Sequence, residues 1–210
     1  MTTEPSVGSE STASSAVPVH VRSIEYEAFD EGDHLRIIGR LRDTRPWAAD
    51  GSFVHQVHDM ELRVTVRVDD LTITESDALM HVFPHAECPG IVGAFRALAG
   101  LQVGRGFTRQ VQNLFGGPKG CTHLEHLARS LGPVVVQTVT SKRAQARSRG
   151  SDDPILGAAS PWVRNSCHIW AEGGVAEQKV AVGWRPGVGA YPSPSLEEII
   201  GTGGPGTGDP

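Results

Sequence analysis

The sequence is short of cysteine, of aromatic residues and of long apolar runs. It has three cysteines in 210 residues and no C-x-x-C pair, which excludes a zinc-finger pattern. Its apolar runs fall well short of the roughly 20 residues that a membrane-spanning helix requires. The G-x-S-x-G, Walker A and H-E-x-x-H signatures are also missing, so the sequence indicates none of the hydrolase, nucleotide-binding or peptidase classes that they mark.

The sequence also has no excess of positive charge, since its formal net charge is −5. Nucleic-acid binding needs a concentrated basic surface that neutralises phosphates, so we expect no nucleic-acid partner. The basic run at 142–149 is followed at once by Asp152 and Asp153, and we interpret residues 142–160 as a solvated linker. An odd number of cysteines without an export signal predicts free thiols, a cytoplasmic location and no membrane partner.

Composition divides the chain into a central domain and two tails. Residues 1–18 and 201–210 are rich in small and polar residues, with Ser, Thr, Gly and Pro prominent. Such segments cannot bury enough apolar surface to offset the entropy of ordering, so we predict two disordered tails. Residues 19–200 are predicted to form a single domain.

The first half of the domain has the two-residue period of β-strands. Strands are predicted over 19–29 and 34–41, with a turn at 30–33, and residues 42–51 are expected to form a loop. The clearest alternation runs over 61–68, where every second residue is Leu or Val. A tight connection at Asp69-Asp70 predicts an antiparallel partner that runs on toward Phe83.

The second half has helical periodicity. Helices are predicted over 91–99 and 108–115, and a third begins near Thr122 and is expected to be interrupted at Gly132-Pro133. Residues 134–139 fit either a continued helix or a strand. Residues 166–171 and 175–184 are predicted to form a closing hairpin. The expected fold is therefore α+β, an antiparallel sheet with two or three helices packed on one face.

The segment 120–124, Gly-Cys-Thr-His-Leu, places a thiol and an imidazole at the start of the third helix. Thr122 followed by Glu125 has the spacing of a capping box, with Thr122 as the N-cap. The positive end of the helix dipole would stabilise a thiolate at Cys121 and keep His123 neutral. Cys121 is a candidate nucleophile or metal ligand, and His123 a candidate base or ligand. The alternative is that Cys121 packs and His123 only bonds a neighbouring loop.

The strand entrance before residue 61 supplies a second histidine. Extending the alternation back from Leu62 directs Met60 and His58 inward and Asp59 outward. An inward histidine can be a ligand, a base or a core residue with satisfied polar atoms. In the catalytic interpretation, His58 and Asp59 orient groups or relay protons at the site.

Cysteine and histidine together also suggest a metal. Cys88 lies in the loop before the first helix, three residues after His85. The candidate ligands of a transition metal, zinc or iron, are Cys88, Cys121, His123 and His58. We predict that Cys121, His123 and His58 converge within one pocket with Cys88 on its rim, whereas Cys167 and His168 diverge on a strand and pack.

Several of these segments occur in one order that resembles a known family. The sequence resembles the bacterial domain-of-unknown-function family 2889 over about residues 20–141. The resemblance is carried by Arg40-Leu-Arg-Asp43, His58-Asp59-Met60, Cys88-Pro89, Leu98-Ala-Gly100 with Gly106-Phe107, and most specifically Gly120-Cys-Thr-His-Leu124. It implies that the separate motifs belong to one pattern and favours substrates from acyl-CoA or aromatic catabolism.

The expected function is a small intracellular enzyme that works at a Cys/His site. We expect a hydrolase, lyase or isomerase acting on a small molecule, namely an organic acid, an acyl thioester or an aromatic intermediate. The alternative is a non-catalytic binding or accessory protein whose Cys/His cluster is structural. Solvent access to Cys121 separates the two, because a catalytic thiol needs a cleft.

Overall fold

A computed structural model describes residues 18–47, 55–151, 163–185 and 192–201. Its strands are β1 (Val21–Glu31), β2 (His34–Arg45), β3 (His55–Arg67) and β4 (Ile73–Val82). Its α-helices are α1 (Phe107–Phe115), α2 (Thr122–Ser148), α3 (Val175–Ala181) and α4 (Leu196–Gly201), and 3-10 helices span Cys88–Leu98 and Gly117–Lys119. The predicted α+β class with an antiparallel sheet is confirmed.

The sheet is an antiparallel meander in the order β1-β2-β3-β4. Because the links between strands are short, strands that are consecutive in the sequence are also neighbours in the sheet. Gly32 adopts φ 81° in the β1–β2 turn. Period-2 alternation gives the sheet one apolar face, to which β2 contributes Leu35, Ile37 and Leu41, all fully buried.

The 3-10 helix at Cys88–Leu98, α1 and α2 all contribute to one apolar core on that face of the sheet. The buried stripe of α2, which packs across β1, β2 and β3, consists of Leu124, Leu127, Ala128, Leu131, Val135 and Val139. Burying each leucine contributes about 1.5–3 kcal/mol relative to an exposed position. This stripe fixes where the N-terminus of α2 lies, and with it the segment 120–124.

Tyr26, whose ring packs against Gly39, holds α2 on the sheet through a hydrogen bond. Gly39 is paired with Tyr26, and a Cβ atom at residue 39 would lie 2.5 Å from the tyrosine ring. The ring therefore lies flat over the glycine, and its hydroxyl donates a hydrogen bond of 2.8 Å to the carbonyl of Leu127. Burial raises the pKa of Tyr26 to about 12, so the hydroxyl keeps its proton and stays a donor.

Three predictions about the second half are wrong. Helix α2 continues through Gly132 and Pro133 to Ser148, so residues 134–139 are helical and the predicted linker begins as helix. The buried stripe on both sides of Pro133 outweighs the backbone cost of proline. The predicted hairpin at 166–184 is instead a turn-rich segment followed by α3, whose sequence Val-Ala-Glu-Gln-Lys-Val-Ala is rich in helix formers.

Two boundary predictions are also wrong. Strand β2 extends four residues beyond the predicted end at Leu41, into the expected loop, because Asp43 continues the inward alternation. Thr122 is the first residue of α2 rather than its cap, since Cys121 holds the N-cap position and makes no side-chain capping bond.

The predicted tails lie outside the described residues, apart from Pro18 and from Gly201, which ends α4. Within the described ranges no helix combines the length and the apolar character needed to span a membrane.

Candidate functional site

The site begins as a row of three residues across the sheet. Arg22 on β1 pairs directly with Asp43 on β2, and Asp43 pairs with His58 on β3. A shift in register next to Asp43 marks a β-bulge at this end of the sheet, a feature that re-aims side chains. These three polar side chains therefore lie at the edge of the core, next to its rows of apolar side chains.

Asp43 is the centre of the row and is 1% exposed. Arg22 donates to both of its oxygens, from Nε to Oδ1 at 2.7 Å and from Nη2 to Oδ2 at 2.8 Å. His20 Nε2 lies 3.1 Å from Oδ1, and His58 Nδ1 lies 3.0 Å from Oδ2. Burial alone would raise the pKa of Asp43, but Arg22 and the two nearby imidazoles of His58 and His123 outweigh it and lower the pKa to about 2. Asp43 is therefore a carboxylate at neutral pH.

His123 reaches this carboxylate from the first turn of α2. Its Nε2 lies 3.3 Å from Asp43 Oδ2, and its ring centroid lies 3.8 Å from that of His58. Burial, followed by the neighbouring His58, lowers the pKa of His123 to about 4 despite the attraction of Asp43. His123 is thus neutral at physiological pH, as the sequence predicts.

Cys121 lies on the other side of the His123 ring. The thiol Sγ is 3.7 Å from Nδ1 of His123, while Nε2 of the same ring faces Asp43. The negative charge of the Asp43 carboxylate, 3.3 Å away, repels a lone pair at Nε2 and attracts an N–H there, so the neutral ring carries its proton on Nε2. Nδ1 is then left with a lone pair directed at the thiol. The arrangement is a thiol, an imidazole and a carboxylate in series, which is the arrangement of an activated cysteine nucleophile.

The residues that can hold a metal overlap with this series. Within the described ranges, Asp43, His58 and His123 offer one ligand atom each, and these atoms lie within 4.8 Å of one another. The group contains the two histidines of the predicted ligand set, but Asp43 takes the place of the cysteines. Cys121 faces the opposite nitrogen of His123.

Asp59, which we predicted to assist His58, faces the other side of the sheet. It is buried there and accepts two hydrogen bonds from Arg40, at 2.6 and 2.5 Å, and one from Gln56 at 3.3 Å. Successive residues of a strand point to opposite faces, so Asp59 has no direct path to His58. Its contacts make it part of an ion-pair network on the outer face.

Within the described ranges, neither of the other two cysteines joins the ligand group of Asp43, His58 and His123. Cys88 begins the first 3-10 helix and is half-buried, and Cys167 is exposed; all three cysteines are free. Among the described residues neither Cys88 nor Cys167 shares a hydrogen bond with the cluster. The contacts of His123 with His58 and with Cys121 show that these three residues converge, while the common pocket with Cys88 on its rim stays a prediction.

Sequence reasoning missed Asp43 and Arg22 as site residues. The sequence signal for Asp43 was its place in the two-residue alternation of the strand. It continues the inward-facing series Leu35, Ile37, Gly39 and Leu41. Assigning residues 42–51 to a loop on account of Pro46 hid that signal. Arg22 could be found only through the pairing of β1 with β2, which depends on the turn between them.

These residues all fall within a recognised family pattern. The family model described as "Protein of unknown function (DUF2889)" matches residues 20–137, which is more than half of the chain. The chain therefore belongs to this family, and the resemblance seen in the sequence is confirmed. The match extends from the residue before β1 into α2 and so contains the whole Arg22–Asp43–His58–His123–Cys121 cluster. No curated protein and no solved structure matches the chain.

Proposed function

We propose that this chain is an enzyme that uses the thiol of Cys121 as a nucleophile. One observation carries the proposal: His123 lies between Cys121 and Asp43, with Nδ1 3.7 Å from the thiol and Nε2 3.3 Å from the buried carboxylate. A neutral imidazole held in this tautomer accepts a proton from the thiol. Asp43 fixes the ring orientation and stabilises the imidazolium that results.

The reaction that suits these groups is acyl transfer. The sulfur of Cys121 attacks the acyl carbon of the substrate, and its proton passes to Nδ1 of His123 in the same step. The tetrahedral intermediate carries a negative oxygen, which the first backbone N–H groups of α2 can stabilise because they have no partner within the helix. The leaving thiol or alcohol takes the proton from His123. Water then attacks the enzyme thioester, again with His123 as base, and releases the acid.

The substrate class follows from the nucleophile. A thiol exchanges acyl groups readily with thioesters and activated esters, so we propose a small acyl thioester or ester of an organic acid. The N-cap position favours the chemistry further, because the positive end of α2 attracts the developing negative charge. We also propose a reducing, cytoplasmic setting, which keeps the thiol reduced.

Turnover of simple acyl compounds tests the proposal. The purified chain is assayed with p-nitrophenyl acetate and with short acyl thioesters of N-acetylcysteamine, alongside Cys121→Ser, His123→Gln and the control Cys167→Ser. We expect Cys121→Ser and His123→Gln to lose at least about 100-fold in kcat/KM. The control should keep the wild-type value. Activity that survives in Cys121→Ser with the fold intact would refute the proposal.

A second candidate is a non-catalytic protein with a structural metal at Asp43, His58 and His123. The spacings of 3.0 and 3.3 Å from Asp43 Oδ2 to the two histidine nitrogens favour it. Donors that share an ion at bonds of about 2.1 Å lie roughly 3.0–3.4 Å apart. Against it, Arg22 already donates to both oxygens of Asp43 and places a positive charge where the ion would bind.

Metal analysis separates the two candidates. A structural metal would co-purify at about one ion per chain. It would be lost in Asp43→Asn but kept in Asp33→Asn, and a chelator would lower the melting temperature of the wild type and of Asp33→Asn but not that of Asp43→Asn. The thiol proposal expects no stoichiometric metal and a melting temperature that the chelator leaves unchanged.

A further inference from the structure

Arg22 has hydrogen-bonding capacity that Asp43 does not use. A guanidinium carries five N–H groups, and Asp43 takes one from Nε and one from Nη2. Within the described part of the chain, Nη1 and the second proton of Nη2 make no hydrogen bond. These protons lie along the end of the planar group, where two of them point in parallel and match the two oxygens of a carboxylate.

The Arg22 side chain is partly open to solvent. The side chain is 37% exposed although the carboxylate that it binds is 1% exposed. His20, 48% exposed, lies on the same side, with Nε2 3.1 Å from Asp43 Oδ1. Asp43 thus binds Arg22 through Nε and Nη2, and the rest of the guanidinium carries N–H groups alone.

The negative charge of Asp43 does not prevent an anion from binding at the free edge of Arg22. Both of its oxygens are already paired, Oδ1 with Arg22 and His20 and Oδ2 with Arg22 and His58. An incoming anion therefore meets the guanidinium edge before it meets the carboxylate. An arginine held side-on by one carboxylate and open end-on to another is a preorganised anion site, because its rotamer is already fixed.

We propose that Arg22 binds a carboxylate at the far end of the acyl group that Cys121 attacks. The substrates would then be monothioesters or monoesters of dicarboxylic acids. This inference rests on the proposed function. Arg22 and Cys121 are linked through Asp43 and His123, so the carboxylate must be separated from the acyl carbon by several bonds. Arg22 is a specificity residue here, and the proton transfers remain with His123.

The first test measures binding without turnover. Alkylation of Cys121 by iodoacetamide is followed by mass spectrometry in the presence of glutarate or of neutral glutaramide. We expect glutarate to slow alkylation of the wild-type chain on the order of tenfold more than glutaramide does. Arg22→Gln should lose that difference, while Arg36→Gln, whose arginine pairs with exposed Glu31 at 2.6 Å, should keep it.

The Arg22→Lys variant keeps this test informative if Arg22→Gln does not fold. Lysine keeps a positive charge near Asp43 but loses the planar fork. Its glutarate protection should fall between those of the wild type and Arg22→Gln. Equal protection by glutarate in the wild type and in a folded Arg22→Gln, or none in the wild type, overturns the inference.

The second test compares the glutaryl and pentanoyl thioesters of N-acetylcysteamine, which have the same chain length and differ in the terminal carboxylate. We expect the wild type to prefer the glutaryl compound on the order of tenfold in kcat/KM and Arg22→Gln to lose the preference. Because Arg22 also holds Asp43, the ratio of the two values is the readout. Cleavage of both thioesters at equal kcat/KM retains the proposed function and refutes this inference. Protection by glutarate without cleavage of either thioester refutes the proposed function, and of the inference it keeps only the binding of a carboxylate at Arg22.

Discussion

Asp43 and His123 meet at a single oxygen, Oδ2, which also lies 3.0 Å from His58 Nδ1. Asp43 comes from the end of β2 and His123 from the first turn of α2, so the contact joins the sheet to the helix. The position of α2 on the sheet therefore determines the geometry of the site.

Replacing Asp43 by Asn should destabilise the fold. The amide removes the charge that binds Arg22 and presents N–H groups to donors that need an acceptor, at a cost of roughly 2–4 kcal/mol in the free energy of unfolding. Urea denaturation measures the loss. Asp33→Asn is the matched control, since the Asp33 side chain is 82% exposed and its carboxylate contacts the neighbouring His34. Equal losses in the two variants would show that Asp43 is not a structural centre.

The lowered pKa of His123 makes stability depend on pH. Its pKa falls from 6.5 in the unfolded chain to about 4 in the folded chain, so the unfolded chain binds the extra proton first. The contribution of neutral His123 is complete above about pH 6.5 and is lost as the pH falls to about 4. The loss amounts to roughly 3 kcal/mol.

Comparison with His123→Gln isolates that contribution. The free energy of unfolding of the wild type minus that of the variant should fall by roughly 3 kcal/mol between pH 7 and pH 4. His55→Gln, at an exposed position that begins β3, serves as the control and should show no such trend. A difference that grows as the pH falls would mean that Asp43 keeps His123 protonated in the folded chain.

The contact of Tyr26 with Gly39 should be sensitive to a single methyl group. Gly39→Ala places a Cβ 2.5 Å from the ring, which is held by its bond to Leu127, so we expect a loss of about 1–3 kcal/mol. Gly132→Ala is the control within α2, because a Cβ there meets nothing within 4 Å. Alanine in a helix interior should gain about 0.5–1 kcal/mol. Thermal melting ranks the three chains, and a neutral Gly39→Ala would contradict the close contact.

Removing the hydroxyl of Thr122 should have little effect. Thr122 is exposed, lies inside α2 and makes no capping bond, so Thr122→Ala should change the free energy of unfolding by less than about 0.5 kcal/mol. A cap would be worth about 1 kcal/mol. A loss of that size, recovered in Thr122→Ser, would restore the capping box that the T-x-x-E spacing suggests.

Sequence patterns predicted the elements whose signal is local. The alternation at 61–68 identified β3, and it directed His58 inward and Asp59 outward as observed. The spacing at 120–124 identified the start of α2. These predictions succeeded because strand and helix periodicities are written into neighbouring residues.

The failures came where distant contacts outweigh local preference. Gly132-Pro133 suggested a break, but Leu131 and Val135 are both buried in the core and keep α2 continuous. Asp43 was missed because nearby proline suggested a loop, and its charge made an inward position unexpected. Burial of that carboxylate is favourable because of His20 and of Arg22, His58 and His123, and the last three come from three other elements.

The most direct measurement for the proposed function is the rate at which iodoacetamide alkylates Cys121. Mass spectrometry reads Cys121, Cys88 and Cys167 in the same sample, so the two cysteines outside the cluster act as internal controls. If His123 accepts the proton of the thiol, His123→Gln slows Cys121 at neutral pH on the order of tenfold or more and leaves Cys88 and Cys167 unchanged. An unchanged rate at Cys121 in a folded His123→Gln variant would contradict the account.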